Sequence, residues 1–192
     1  MNSISINVVY WVLIATIPLF LFITLFSEDL LGFFGQDFVN GRTPLIILAA
    51  SFFLNSLLGF AGQLLGVLGK SKVILINSLM AGILNIILNF LLVPKFGIIG
   101  AACATAFSIF AVNLARAIEV YIIDKFFFLR AILIKPLAVG IFMGLGIFHL
   151  KNLFYYENSL FFFIGFNLLS IGLYFFLIWV FVFSTFEKDL IY

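Results

Sequence analysis

Two asparagines, Asn85 and Asn89, stand one helical turn apart in the stretch NIILNFLLVPKFGIIGAACATA, Asn85 to Ala106. Nearly every residue around them is apolar, so their amides need partners inside a non-aqueous interior. Polar groups so placed either hydrogen-bond a neighbouring helix, at roughly 0.6–2 kcal/mol per contact, or line a hydrophilic path. Other polar residues lie in similar apolar runs: Ser51, Asn55, Ser56 and Gln63, then Asn77 and Ser78, then Thr105, Ser108 and Asn113. On a helix of 3.6 residues per turn, Asn77, Ala81, Asn85 and Asn89 fall near one stripe, which predicts a face turned away from lipid. Each asparagine alone reads as a packing contact. The stripe as a whole fits a cavity-facing surface equally well.

Arg116 and Glu119 lie three residues apart at the end of an apolar run, a spacing that predicts an i, i+3 ion pair. The sharper alternative makes Arg116 a gate or a contact for an anionic headgroup, since a guanidinium fork matches phosphate geometry. The patterns that catalysis needs are missing from the sequence. It has no Gly-rich phosphate loop, HExxH, GxSxG or Asp-x-Asp pair, and Glu28, Asp29 and Asp37 have no His or Lys partner pattern nearby. One cysteine, Cys103, excludes an internal disulfide or a cysteine metal site, and His149 has no second histidine to pair with. The expectation is a protein that is not an enzyme and carries no cofactor or metal.

The elements that position these residues follow from composition. Of 192 residues, 65% are apolar and 9% charged, with a mean hydropathy of +1.32. A soluble domain carries about 25% charged residues, so this chain cannot cover itself for water. A net charge of +2 gives no nucleic-acid footprint. The 28 phenylalanines read as fillers of lipid-facing positions. A membrane helix needs roughly 20 apolar residues, and six segments qualify: 8–26, 44–68, 73–93, 97–118, 132–150 and 159–183. The fifth reaches its length if Lys135 snorkels to the interface. The fold class expected is all-α, a polytopic membrane protein whose residues 1–192 form one helical lobe.

The first run lacks a basic region before it and a small-residue cleavage site after it, so it reads as a span and not a signal peptide. Pro18 lies inside that span and predicts a kink, whereas Pro44 and Pro136 sit at helix starts. Lys70, Lys72, Arg116, Lys125, Arg130, Lys135 and Lys188 fall on one set of alternate loops, against Arg42, Lys95 and Lys151 on the other. The positive-inside rule then predicts that both termini are cytoplasmic. Ser27–Thr43 reads as an acidic loop. Residues 117–135 read either as an interfacial helical segment or as an extension of the fourth span. Gly62 with Gly66, Gly140 with Gly144, and the small face of Gly97, Gly100, Ala101 and Ala104 predict close helix packing.

The order of these features resembles a known family. A loop FFGQDFVNG precedes a polar-spotted span and GVLGKSK; the span with Asn85 and Asn89 follows, then LVPKFGIIGAACATAFS. This is similar to the C-terminal half of oligosaccharide (O-antigen type) flippases of polysaccharide biosynthesis, in the multidrug/oligosaccharidyl-lipid/polysaccharide exporter superfamily. The likeness is best over 33–108. It implies two pseudo-symmetric lobes around a central cavity, cytoplasmic termini, and export of an undecaprenyl-linked sugar chain across the bacterial inner membrane by alternating access. Six spans are about half of such a protein, so the expectation is a fragment, a split gene or a truncated frame that needs an N-terminal lobe or partner chain. Alternating access needs two bodies to rock against each other. The path would be lined by Asn55, Asn85, Asn89 and Asn113, with Arg116 near the cytoplasmic mouth. Competing readings are a cation-coupled multidrug and toxin exporter, which wants a membrane-embedded carboxylate, and a non-transporting subunit or gene remnant.

Overall fold

The computed structural model describes residues 2–124, 134–154 and 160–179. Lys125, Phe126, Phe127, Phe128, Arg130, Lys188 and the end of the sixth expected span lie outside the described residues. Among the described residues the chain is helical, with no strand. Seven α-helices follow in order: α1 (Asn2–Leu25), α2 (Ser27–Gly32), α3 (Arg42–Leu58), α4 (Phe60–Val67), α5 (Ser71–Asp124), α6 (Ile134–Phe154) and α7 (Leu160–Ile178). A 3-10 helix, Gln36–Gly41, precedes α3. Among the described residues three stretches are long and apolar enough to cross a membrane: Val8–Leu25, Gln36–Val67 and Ser71–Ile123.

The third stretch would measure about 80 Å if straight, far beyond the roughly 30 Å of a bilayer core. It is not straight. Gly97 takes φ 56° and ψ −132° inside α5, a left-handed conformation that glycine adopts without a Cβ clash. Beyond it, a Cβ at Gly100 would collide with the Leu92 carbonyl, so the chain doubles back tightly. Residues 71–96 and 98–124 form two antiparallel arms. Asn77 meets Glu119, Ser78 meets Arg116 and Asn85 meets Thr105, pairs that straddle the Pro94–Gly97 turn symmetrically. The hairpin read from the sequence is present.

The expected loop Ser27–Thr43 is instead folded into α2 and the 3-10 helix, closed by an Arg42–Glu28 ion pair. Elements this short show too few residues to register a 3.6 period. The α1 helix runs unbroken through Pro18. At the far end of α5, residues up to 124 continue the second arm, so residues 117–124 are a helix extension, and 134–135 already belong to α6.

Neighbour contacts set the direction of each helix. Between α1 and α3, Thr16 Oγ1 lies 3.3 Å from Ser56 Oγ, and Phe20 stacks on Phe53 with centroids 4.7 Å apart, an antiparallel pairing. A Cβ at Gly140 would stand 2.6 Å from Ile17 Cγ2, and one at Gly144 2.8 Å from Leu21 Cδ2, so α6 runs parallel to α1. One core joins Tyr10, Leu13, Ile14 and Ile17 of α1 to Met143 and Ile147 of α6 and Tyr174 of α7. A second joins Ala61, Leu64 and Leu65 of α4 to Val120 of the second arm.

Candidate functional site

The polar residues collect where α3 and α4 meet the hairpin. The α3 helix ends at Leu58 and α4 begins at Phe60, so the break at Gly59 falls one turn beyond Asn55. The Asn55 carbonyl accepts the Gly59 N–H at 2.7 Å. Across this break, Asn113 Nδ2 donates to Asn55 Oδ1 at 2.6 Å. Asn113 is buried, and its own Oδ1 has no hydrogen-bond partner among the described residues.

One turn further along the second arm is Arg116. Its side chain runs over Gly62 of α4, where a Cβ would come within 3.3 Å of both Arg116 Cδ and Nη1. Arg116 Nη2 donates to Ser78 Oγ on the first arm at 3.0 Å. Its Nε is buried with no partner among the described residues. Gly62 thus does more than permit helix approach: it leaves a lane for a guanidinium.

Glu119 does not pair with Arg116. Its Oε2 accepts from Asn77 Nδ2 at 2.6 Å. The expected i, i+3 ion pair is therefore replaced by two cross-arm bonds. The hairpin register explains the difference, because it puts Asn77 and Ser78 directly opposite the two charged residues. An exposed i, i+3 pair is worth only a few tenths of a kcal/mol, so the partly buried Asn77–Glu119 bond prevails.

Nearer the turn, Asn85 Nδ2 lies 3.5 Å from Thr105 Oγ1, at the outer limit of hydrogen bonding. Asn89 Nδ2 donates to the Asn85 backbone carbonyl at 2.9 Å and to Asn85 Oδ1 at 3.0 Å. Asn77, Ala81, Asn85 and Asn89 are all half-buried, while Met80, Ile83, Ile86 and Phe90 on the other sides are exposed. The stripe does turn away from the outer surface, and it faces the second arm. Of the five residues singled out from the sequence, Asn55, Asn113 and Arg116 are gathered at the α3–α4 break. Asn85 and Asn89 form a separate pair towards the turn. Ser78, Glu119 and Gly62 join the first group, and the symmetry of the hairpin about Gly97 is the sequence signal that finds the first two.

Chemically, the arrangement offers amides, a hydroxyl and a guanidinium along one seam. Such groups hydrogen-bond hydroxyls and anionic oxygens.

Over 102 residues the chain is 39% identical to the "Probable low-salt glycan biosynthesis flippase Agl15" of Haloferax volcanii. The matched stretch is 53% of this chain and 21% of the relative's length. No protein-family model matches, and no solved structure matches significantly. Together with the long apolar helices, this likeness points to a helical membrane protein and supports a flippase-type role in general terms.

Proposed function

We propose that the chain is the C-terminal lobe of an inner-membrane flippase that exports lipid-linked oligosaccharide for surface polysaccharide. In this reading it crosses the membrane six times, with both termini cytoplasmic. The observation that carries it is the 39% identity to a protein named as a glycan biosynthesis flippase. The helix directions support the topology. The α1 helix, the first arm and α6 run one way, whereas α3, α4 and the second arm run the other. Lys70 and Lys72 therefore lie at the end opposite Arg42 and Lys95, as the positive-inside rule requires of a cytoplasmic face.

The substrate path in this reading follows the polar seam. Asn55 and Asn113 present amides beside the helix break, and Asn85 and Asn89 extend the polar row towards the turn. Arg116 stands near the cytoplasmic mouth, where a guanidinium with a donor to spare suits an anionic group on the lipid carrier. A second lobe completes the cavity, because rocking of two bodies is what alternates access.

The test is complementation. A strain lacking its oligosaccharide flippase is given this chain alone, the N-terminal half of a glycan flippase alone, or both. Surface glycan restored only by the pair supports the proposal. Lipid-linked glycan that stays on the cytoplasmic side with both halves present in the membrane contradicts it. Glu119 gives a specific reason to keep one other reading, the cation-coupled exporter, since it is a half-buried carboxylate held by Asn77. Cation-dependent dye efflux abolished by Glu119→Gln would favour that reading.

A further inference from the structure

Between α1 and α3 the chain forms a small folded projection with one aromatic side. Its base is fixed: Phe26 and Ser27 are buried, Ser27 Oγ donates to the Thr24 carbonyl at 3.3 Å, and Arg42 is ion-paired to Glu28. Gly35, at φ 124°, turns α2 into the 3-10 helix, and the Phe38 N–H donates to the Gly35 carbonyl at 3.1 Å. That turn brings the Phe34 and Phe38 rings to 6.3 Å between centroids. Phe33, Phe34 and Phe38 are nevertheless 61%, 75% and 58% exposed. At the same end of the bundle, Phe96 and Ile98 are exposed beside the hairpin turn.

Position identifies what meets these rings. The apolar stretch Val8–Leu25 has 18 residues, about 27 Å of helix, which nearly fills a core of roughly 30 Å. Residues just after Leu25 therefore stand at the boundary between acyl chains and headgroups, continuous with the lipid-facing flanks of the long helices. The charges of the projection are mostly acidic, Glu28, Asp29 and Asp37 against Arg42, so attraction to anionic lipid is not what holds it.

We infer that Phe33, Phe34 and Phe38 form an aromatic wedge seated in the membrane interface, its partner the headgroup–acyl boundary of that leaflet. Apolar side chains of interfacial helices sit about 5–10 Å into that boundary. The wedge fixes the depth of the turn that joins α1 to α3. The inference rests on the reading of the long helices as membrane-spanning.

The experiment uses the full chain with Trp11→Phe and Trp179→Phe, reconstituted in phosphatidylcholine vesicles brominated either near the headgroup or near the bilayer centre. Single reporters are Phe34→Trp, Phe38→Trp and, exposed at the middle of the first arm, Ile83→Trp. The wedge predicts that Phe34→Trp and Phe38→Trp are quenched strongly by the shallow bromines and weakly by the deep ones, with no change when anionic lipid is added. Ile83→Trp should be quenched by the deep bromines. Water-like emission without quenching at positions 34 and 38 overturns the wedge, as does blue-shifted emission without quenching, which means that protein covers the rings. If Ile83→Trp is also unquenched at both depths, the spanning reading falls and the wedge with it. Quenching at 83 but not at 34 and 38 removes the wedge alone.

Discussion

The two packing regions of this chain are built on opposite principles. Where α1 meets α6 and α7, contact is a matter of shape: Ile17 and Leu21 press onto Gly140 and Gly144, and the surrounding core is apolar apart from hydroxyls. Where α3 and α4 meet the hairpin, contact passes through Asn55–Asn113, Arg116–Ser78 and Asn77–Glu119. Apolar packing in lipid gains little from the hydrophobic effect, because lipid tails are as apolar as leucine, so the first region depends on close fit. The second depends on hydrogen bonds that another polar group can replace. On the proposed reading the second seam holds the transport path, and the first is the rigid body that carries it.

The largest effect should come from spoiling the fit. Gly140→Leu forces a side chain into space that Ile17 already occupies, and overpacking of this kind costs about 1–3 kcal/mol. Thermal unfolding in detergent should show a clear fall in Tm, whereas Gly82→Leu, where a Cβ meets nothing within 4 Å, should leave Tm unchanged. Equal Tm values would mean that α6 does not sit on α1 as described.

Next in size is the polar seam. A double-mutant cycle on Asn55→Ala and Asn113→Ala should return a coupling of about 0.6–2 kcal/mol. Additive losses would show that the amides do not support each other. Glu119 sharpens the account further. Glu119→Gln keeps an oxygen for Asn77 Nδ2 and should be nearly neutral, whereas Glu119→Ala should cost about 1 kcal/mol. If both cost the same, the charge matters and an Arg116–Glu119 pair is restored. The smallest effect is expected at Asn89, which among the described residues bonds within its own helix; Asn89→Ala should change stability by about 0.5 kcal/mol or less.

Much of this was legible in the sequence, for a physical reason. Crossing lipid demands long apolar runs, so α1, the α3–α4 segment and both arms of α5 announce themselves by hydropathy. Pro94 and Gly97 mark the point of reversal, and the stripe from Asn77 to Asn89 marks the shielded face. Partner choice was less legible. Arg116 and Glu119 satisfy a local pairing rule, yet the hairpin offers each a cross-arm partner that spacing within one helix does not reveal. The role of Gly62 depends on a side chain more than fifty residues away in the chain. Gly140 and Gly144 suggested close packing, but nothing local in them points to Ile17 and Leu21. The short helices after Ser27 were hidden because one or two turns carry no measurable period.

If the polar seam carries a lipid-linked glycan, its amides are needed for export. In flippase-deficient cells that carry the completed transporter with Asn55, Asn85, Asn89 and Asn113 all changed to Ala, surface glycan should be lost while the variant remains in the membrane at the wild-type level. Unchanged surface glycan from the fourfold variant would remove the seam from the path.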